Sequence, residues 1–186
     1  MKVIFLDTET TGLTAYNHGI IDLAMIIEID GVEQEKVSIQ CAPFPKDKVD
    51  KYALEIQNLT EAEIRARIDP KVAYDQLTAI LSKYVDKYDK NDKFTLIGYN
   101  VQFDVDFLES FFKKNGDKFF GSWFNRRPMD VMSLAYYYRY KMGIELENWK
   151  LGTVCSHFGV PLVNAHTALP DAIATRELFY SIDGVL

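Results

Sequence analysis

Hydrophobic residues occur in short blocks along the chain, and their spacing changes from strand-like to helix-like as the sequence proceeds. Residues 2–6 form an apolar run with β-branched side chains, residues 19–29 (GIIDLAMIIEI) form a longer run, and Val32–Gln40 alternates with a period of two. The Asp30-Gly31 pair is typical of a tight hairpin turn. The pattern predicts three strands, the second and third antiparallel.

Helix signals dominate from residue 60 onward. Thr60 and Glu63 have capping-box spacing, and Asp69-Pro70 supplies an N-cap and a first-turn proline to a helical pattern that runs to Val85. The remaining predicted elements are a short strand at 94–98 and helices at 101–114, 131–140, 150–158 and 168–181. A strand followed by a helix indicates an α/β crossover, so we expect an α/β domain with a mixed sheet covered by helices, a pattern that several folds share.

Composition limits the class of protein. The 186 residues, 48% of them hydrophobic, have the size of one domain, and the chain shows neither an apolar run long enough for a membrane span nor a secretion signal. We therefore expect a cytoplasmic protein with no membrane association. Cys41 and Cys155 are predicted to be buried thiols. A net charge of −6 argues against tight binding along a phosphate backbone and less against an enzyme that contacts only a strand end.

Two groups of acids carry candidate chemistry. Asp7 and Glu9 are two positions apart at the predicted end of the first strand, which turns both carboxylates to one side. Asp104 lies on the helix after the 94–98 strand, beside apolar residues, whereas Asp106 is expected on the surface. Taken separately, the Asp7 and Glu9 pair is more typical of solvated acids at a strand end, and Asp104 of an acid on a helix surface.

The last helix adds a histidine and another acid. His166 precedes Asp171, which falls in the first turn behind Pro170. Four carboxylates in one site suit Mg²⁺ or Mn²⁺, and two such ions about 4 Å apart can activate a water and stabilise a leaving oxygen at phosphorus. A neutral histidine can accept the proton of that water. The combination predicts phosphodiester hydrolysis.

Three runs, FLDTETTGL, YNVQFDVDFL and HTALPDA, resemble in this order the DEDDh group of DnaQ-like exonucleases, which includes the proofreading epsilon subunit of bacterial DNA polymerase III, RNase T and oligoribonuclease. The resemblance covers nearly the whole chain and implies one exonuclease domain over residues 1–186, with an RNase H-like fold, a mixed five-stranded sheet and helices on both faces. It implies His166 as the general base and a site for two divalent ions, Mg²⁺ or Mn²⁺. The implied metal ligands are Asp7, Glu9, Asp104 and Asp171.

The same resemblance implies a site for the terminal nucleotide and a reaction at the 3′ end that releases nucleoside 5′-monophosphates. The implied substrate-binding residues are Thr10, Thr11, Gly12, Leu13, Asn100 and Phe103. A glycine at position 12 would let a ligand approach the backbone closely. Tyr99 departs from the family pattern, because many members carry histidine before the asparagine.

Several alternatives stay open on the sequence. The substrate is DNA or RNA, with single-stranded DNA favoured, and the protein is a stand-alone nuclease or a partner of a DNA polymerase or another replication or repair protein. The residues Phe5-Leu6-Asp7 also resemble haloacid dehalogenase-type phosphatases, but Glu9 replaces the second aspartate of that motif. A non-catalytic module would be expected to have lost a ligand. The Tyr136 to Tyr138 run favours core packing over base stacking.

Overall fold

A computed structural model describes residues 1–163 and 167–184. Over these residues the chain forms five strands and seven α-helices. In chain order they are β1 (Lys2–Thr10), β2 (Ile20–Ile29), β3 (Val32–Gln40), α1 (Lys51–Ile56), α2 (Glu61–Arg65), α3 (Pro70–Leu81), β4 (Thr95–Gly98), α4 (Gln102–Lys114), β5 (Met129–Asp130), α5 (Val131–Met142), α6 (Leu151–His157) and α7 (Ala168–Asp183). A 3₁₀ turn at Phe120–Ser122 precedes β5.

The strands form one mixed sheet with the order β3-β2-β1-β4-β5. β2 is antiparallel to β1 and to β3, which confirms the predicted hairpin, and β4 is parallel to β1 and to β5. The carboxyl ends of β1, β4 and β5 therefore reach the same edge of the sheet. That edge is where the candidate acids of β1 lie.

Helices cover both faces of the sheet, as expected. On one face, Ile4 and Leu6 of β1 belong to the same apolar cluster as residues of α3 and α4. On the other face, Val3 and Phe5 belong to a cluster with residues of α5, α6 and α7. Because successive side chains of a strand point to opposite faces, this alternation decides which helices the later residues of β1 will meet.

Local signals in the sequence correspond to observed features. The capping box of Thr60 and Glu63 is formed at the start of α2, and the Asp69 side chain accepts a hydrogen bond from the Lys71 N–H at 2.7 Å before α3. Cys41 and Cys155 are free and buried. Within the described ranges, no helix has both the length and the apolar character needed to cross a membrane.

The observed elements differ most from the predicted ones in four places. α3 ends at Leu81, four residues before the end of the predicted helical pattern. β1 continues beyond residue 6 to Thr10, because residues 7–10 keep pairing with β2 although their polar side chains interrupt the apolar run. α1 has no predicted counterpart, since a six-residue helix with one buried side chain, Leu54, produces no clear helical periodicity. β5 has two residues, which are too few to produce a periodic pattern.

Candidate active site

Asp7 and Glu9 lie near the carboxyl end of the central strand. They continue the alternation of Val3 and Phe5, so they belong to the face that α7 covers. α7 packs against β1 and β2, and Asp171 lies in its first turn. The fold thus brings residues from opposite ends of the chain to one edge of the sheet.

The three acids meet at one point. One carboxylate oxygen each of Asp7, Glu9 and Asp171 lies within 4.8 Å of the other two. Oxygens bound to a common Mg²⁺ or Mn²⁺ are about 3 to 4 Å apart, given metal–oxygen distances of roughly 2.1 Å. Oxygens this close can share one divalent ion, so the donor atoms fit the metal that the sequence implies.

Asp104 approaches from the other face of the sheet. Thr8 points towards α4, where Asp104 is 4% exposed, and the Thr8 N–H and hydroxyl donate hydrogen bonds to Asp104 Oδ1 at 2.9 and 2.7 Å. Asp104 does not belong to the trio within 4.8 Å, but its charge raises the pKa of Asp7. The structure thus brings three of the predicted ligands together and places the fourth next to them, held by the residue between Asp7 and Glu9.

The acids resist ionisation without a cation. Burial raises the pKa of Asp7 well above its usual value, and the charges of Asp104, Asp171 and Glu9 raise it further. Burial, with the charges of Asp171 and Asp22, raises the pKa of Glu9 to about 7. Burial also raises the pKa of Asp104 to about 7, although the hydrogen bonds from Thr8 act in the opposite direction. A bound divalent cation would relieve this desolvation and repulsion.

Asp22 is an acid near the site that the sequence analysis did not identify. It pairs with Glu9 across β1 and β2, is 8% exposed, and accepts hydrogen bonds from Ser38 Oγ at 3.2 Å and Gln40 Nε2 at 3.1 Å. Burial raises its pKa, which those hydrogen bonds partly offset. The only signal in the sequence was one acid inside the apolar run IIDLAMII.

A small cavity lies on the Glu9 side of the acids. Its volume is about 240 Å³, and its walls include four of the predicted substrate-binding residues together with residues of α1. The predicted residues that line it are Thr10, Gly12, Leu13 and Phe103, and the α1 side contributes Tyr52, Ala53, Ile56 and Gln57. Thr11 does not line this cavity, because it is fully buried and its hydroxyl donates to the Lys48 carbonyl at 2.7 Å.

The loop after β1 explains the glycine at position 12. A Cβ atom on Gly12 would overlap the ring of His18, so the absence of a side chain makes room for that ring. Gly12 also lines the small cavity, and its expected contact with a ligand stays a prediction. The Thr14 N–H donates to His18 Nδ1 at 3.2 Å, and His18 Nε2 lies 3.5 Å from Asp50 Oδ2. His18 thus has an acidic partner that its sequence neighbourhood did not reveal.

A larger cleft of about 640 Å³ lies on the other side of the acids. Asp7 and Asp171 line it together with Asn100, which therefore lies in this cleft and not with the other predicted substrate-binding residues. Asn100 adopts a left-handed backbone conformation with φ of 59°, and its N–H donates to Asp130 Oδ1 at 2.9 Å. Asparagine tolerates that conformation better than most residues. His166 lies outside the described residues, so its role stays a prediction.

Comparison with known proteins identifies the family. Residues 4–179 match the RNase T family model, which describes an exonuclease. The chain is 25% identical over 180 residues to the PolC-type DNA polymerase III of Halalkalibacterium halodurans, covering 96% of this chain and 11% of that protein. It is 24% identical over 181 residues to the DNA polymerase III subunit epsilon of Aquifex aeolicus, covering 96% of this chain and 79% of the subunit. The chain thus spans about a tenth of the PolC-type relative.

Solved structures share the fold. The zinc-bound E. coli ExoI–ssDNA complex superimposes with a TM-score of 0.80 at 20% identity, covering 99% of this chain and 40% of that one. The cell-death related nuclease CRN-4 gives a TM-score of 0.77 at 14% identity, covering 99% of this chain and 64% of that one. The sheet and its helices have the RNase H-like arrangement, and the chain belongs to the family of DnaQ-like 3′–5′ exonucleases.

Proposed function

We propose that this protein is a metal-dependent 3′–5′ exonuclease that hydrolyses the last phosphodiester bond of a strand and releases nucleoside 5′-monophosphates. The observation that carries the proposal is the meeting of Asp7, Glu9 and Asp171 between two cavities. The family match over residues 4–179 supports a single exonuclease domain.

The acids would hold two divalent ions, with Asp104 as the fourth ligand residue beside the trio. Carboxylate oxygens favour Mg²⁺ or Mn²⁺ over ions that prefer nitrogen or sulfur. When bound, such ions supply positive charge at the phosphate and promote the ionisation of a water. Thr8 orients the Asp104 carboxylate through two hydrogen bonds, so this part of the site is preorganised.

The two cavities suit the two parts of a strand that is cut near its end. The smaller cavity, lined by Glu9, Leu13 and Phe103, suits the terminal nucleoside, because a partly apolar pocket of about 240 Å³ leaves little space for a continuing chain. The larger cleft, lined by Asp7 and Asp171, suits the nucleotides on the 5′ side. We propose that the scissile phosphate lies between them, at the acids.

We propose His166 as the general base that takes the proton of the attacking water. Support comes from its position five residues before Asp171, the spacing of the DEDDh motif, and from the reaction's need for a proton acceptor near neutral pH. Imidazole suits this role because its ordinary pKa lies close to the pH at which the reaction would run.

Single-stranded DNA is the proposed substrate. Exonuclease I has been solved with a dT13 oligonucleotide, and other relatives are subunits of DNA polymerase III. The same relatives suggest a DNA polymerase or another replication or repair protein as a partner. RNA is the alternative substrate, and it is an outcome of the test below.

The test compares end-labelled single-stranded DNA and RNA of the same sequence in Mg²⁺ and in Mn²⁺. We expect 5′-labelled DNA to shorten from its 3′ end and Asp104→Asn to lose nearly all activity. Asp106→Asn, on the same helix but exposed, is the matched control and should remain active. Full activity of folded Asp104→Asn, or shortening from the 5′ end, would contradict the proposal, whereas faster cutting of RNA would change only the substrate.

A further inference from the structure

An aromatic side chain forms part of the wall of the larger cleft. Trp149 lines the cleft that also contains Asp7 and Asp171, and its side chain is only partly buried. The sequence favoured core packing over base stacking for the Tyr136 to Tyr138 run, and in the structure the members of the run differ. Tyr138 packs against His157 and Phe158 in the core, whereas Tyr136 is 41% exposed and contacts Trp149.

Trp149 is held by contacts with several elements. The Tyr136 ring stacks on its ring at a centroid distance of 4.3 Å and an interplanar angle of 21°, and the Arg139 guanidinium carbon lies 5.5 Å from the indole centroid. The Tyr99 hydroxyl donates to the Trp149 carbonyl oxygen at 2.6 Å and so ties this loop to the end of β4. An aromatic surface fixed in this way loses little conformational freedom when a ligand binds.

The surroundings of Trp149 suit a nucleotide. Exposed Lys150 follows it and lines the same cleft, which places a positive charge near an aromatic ring. Lysine attracts phosphate, and an aromatic side chain can stack with any base because every base has a π face. A protein with a net charge of −6 gains little from long-range attraction to phosphates, so short-range stacking is a suitable source of affinity.

We propose that the base of a nucleotide on the 5′ side of the scissile phosphate packs against Trp149, with Lys150 next to the phosphate of that nucleotide. The inference rests on the proposed function, because it places the upstream strand in the larger cleft and the terminal nucleoside in the smaller cavity. Trp149 is then a substrate-binding residue that holds single-stranded substrate without reading its sequence. Tyr136, which stacks on the indole ring, helps to position it.

The test asks whether the effect of removing the Trp149 side chain depends on the presence of one particular substrate base. An abasic residue is moved through the upstream positions of a single-stranded DNA, and kcat/KM is measured for wild type and Trp149→Ala on each strand. We expect Trp149→Ala to lower kcat/KM roughly 5- to 100-fold on the intact strand, the usual range for one lost stacking contact. When the abasic residue occupies the position that Trp149 contacts, wild type and Trp149→Ala should have equal kcat/KM. The base that would pack against Trp149 is then already absent from the substrate.

Two further variants separate a contact from a general disturbance. Trp149→Phe keeps an aromatic ring and should recover most of the loss. Tyr137→Ala removes an exposed tyrosine of α5 that does not line the cleft, and it should leave kcat/KM unchanged on every strand. The Mn²⁺-dependent rise in melting temperature should be the same in wild type and Trp149→Ala, since the acids are unchanged.

The outcomes of these measurements are distinct. Wild-type protein that cuts neither DNA nor RNA would contradict the proposed function and this inference with it. If the wild type is active and Trp149→Ala lowers kcat/KM by the same factor on every strand, abasic or intact, the stacking contact is overturned. The exonuclease proposal then still stands. Loss of the Mn²⁺-dependent shift in Trp149→Ala would likewise overturn it, because the tryptophan would then support the metal site.

Discussion

Glu9→Gln should stabilise the metal-free protein at alkaline pH, although Glu9 lies in the proposed metal site. Burial and the charges of Asp171 and Asp22 raise the pKa of Glu9 from 4.5 to about 7. The stability that protonated Glu9 contributes is therefore complete below about pH 4.5 and is lost as the pH rises through about 7. Glutamine stays neutral at every pH and avoids this loss.

The size of the effect follows from the pKa shift. A rise from 4.5 to about 7 corresponds to about 3 kcal/mol at pH well above 7. Water screens part of this because Glu9 is only partly buried, so we expect a gain of about 2 kcal/mol, or roughly 4 to 8 °C in Tm for a chain of this size. Near pH 4.5 the two proteins should melt together.

The assay is thermal melting at pH 4.5 and pH 8, in EDTA and in Mn²⁺. Bound ion stabilises the native state by mass action, and Glu9→Gln removes one of its ligands. The gain seen in EDTA should therefore shrink or reverse in Mn²⁺. Glu55→Gln, an exposed glutamate of α1, is the control and should leave Tm unchanged. Equal melting of Glu9→Gln and wild type in EDTA at pH 8 would refute the electrostatic reasoning.

The other predictions concern the orientation of Asp104, the loop after β1, the proposed base and cutting from a strand end. Thr8→Val removes the hydroxyl bonded to Asp104 at 2.7 Å and should lower kcat roughly tenfold without lowering Tm much, whereas unchanged kcat would show that Asp104 needs no such orientation. Gly12→Ala should lower the free energy of unfolding by about 1 to 3 kcal/mol in denaturant melts, because the new methyl group meets His18. His166→Ala should keep the Mn²⁺-dependent Tm shift and cut roughly 10² to 10⁴ times more slowly at saturating Mn²⁺, and a rate within about threefold of wild type would exclude it as the base. A closed single-stranded circle should resist cleavage, since rapid cutting of it would indicate an endonuclease.

The sequence predicted those parts of the fold whose signals are local. The hairpin at Asp30-Gly31, the capping box at Thr60 and the apolar face of α4 each depend on neighbouring residues, and each is observed. The extension of β1 to Thr10 depends instead on pairing with β2. Hydrogen bonds to a partner strand do not change the hydrophobic pattern of the strand itself, so the predicted strand ended too early.

The candidate site was predictable in its residue types and not in its geometry. The order of the motifs indicated Asp7, Glu9, Asp104 and Asp171, but only the fold shows that Asp104 reaches the site from the opposite face and is held by Thr8. Asp22 and Trp149 were missed for a related reason. Their relevance comes from neighbours that are distant in the sequence, Glu9 in one case and the cleft with Asp171 in the other.

The docking of α7 has a consequence for how firmly this helix is held when no ion is bound. Further along this helix, Arg176 and Tyr180 bond to the fully buried Glu28 of β2 and fasten it to the sheet, while its first turn brings Asp171 against the acids of β1. Docking of α7 therefore works against the repulsion among the carboxylates, so a divalent ion bound there should slow amide hydrogen exchange in this helix.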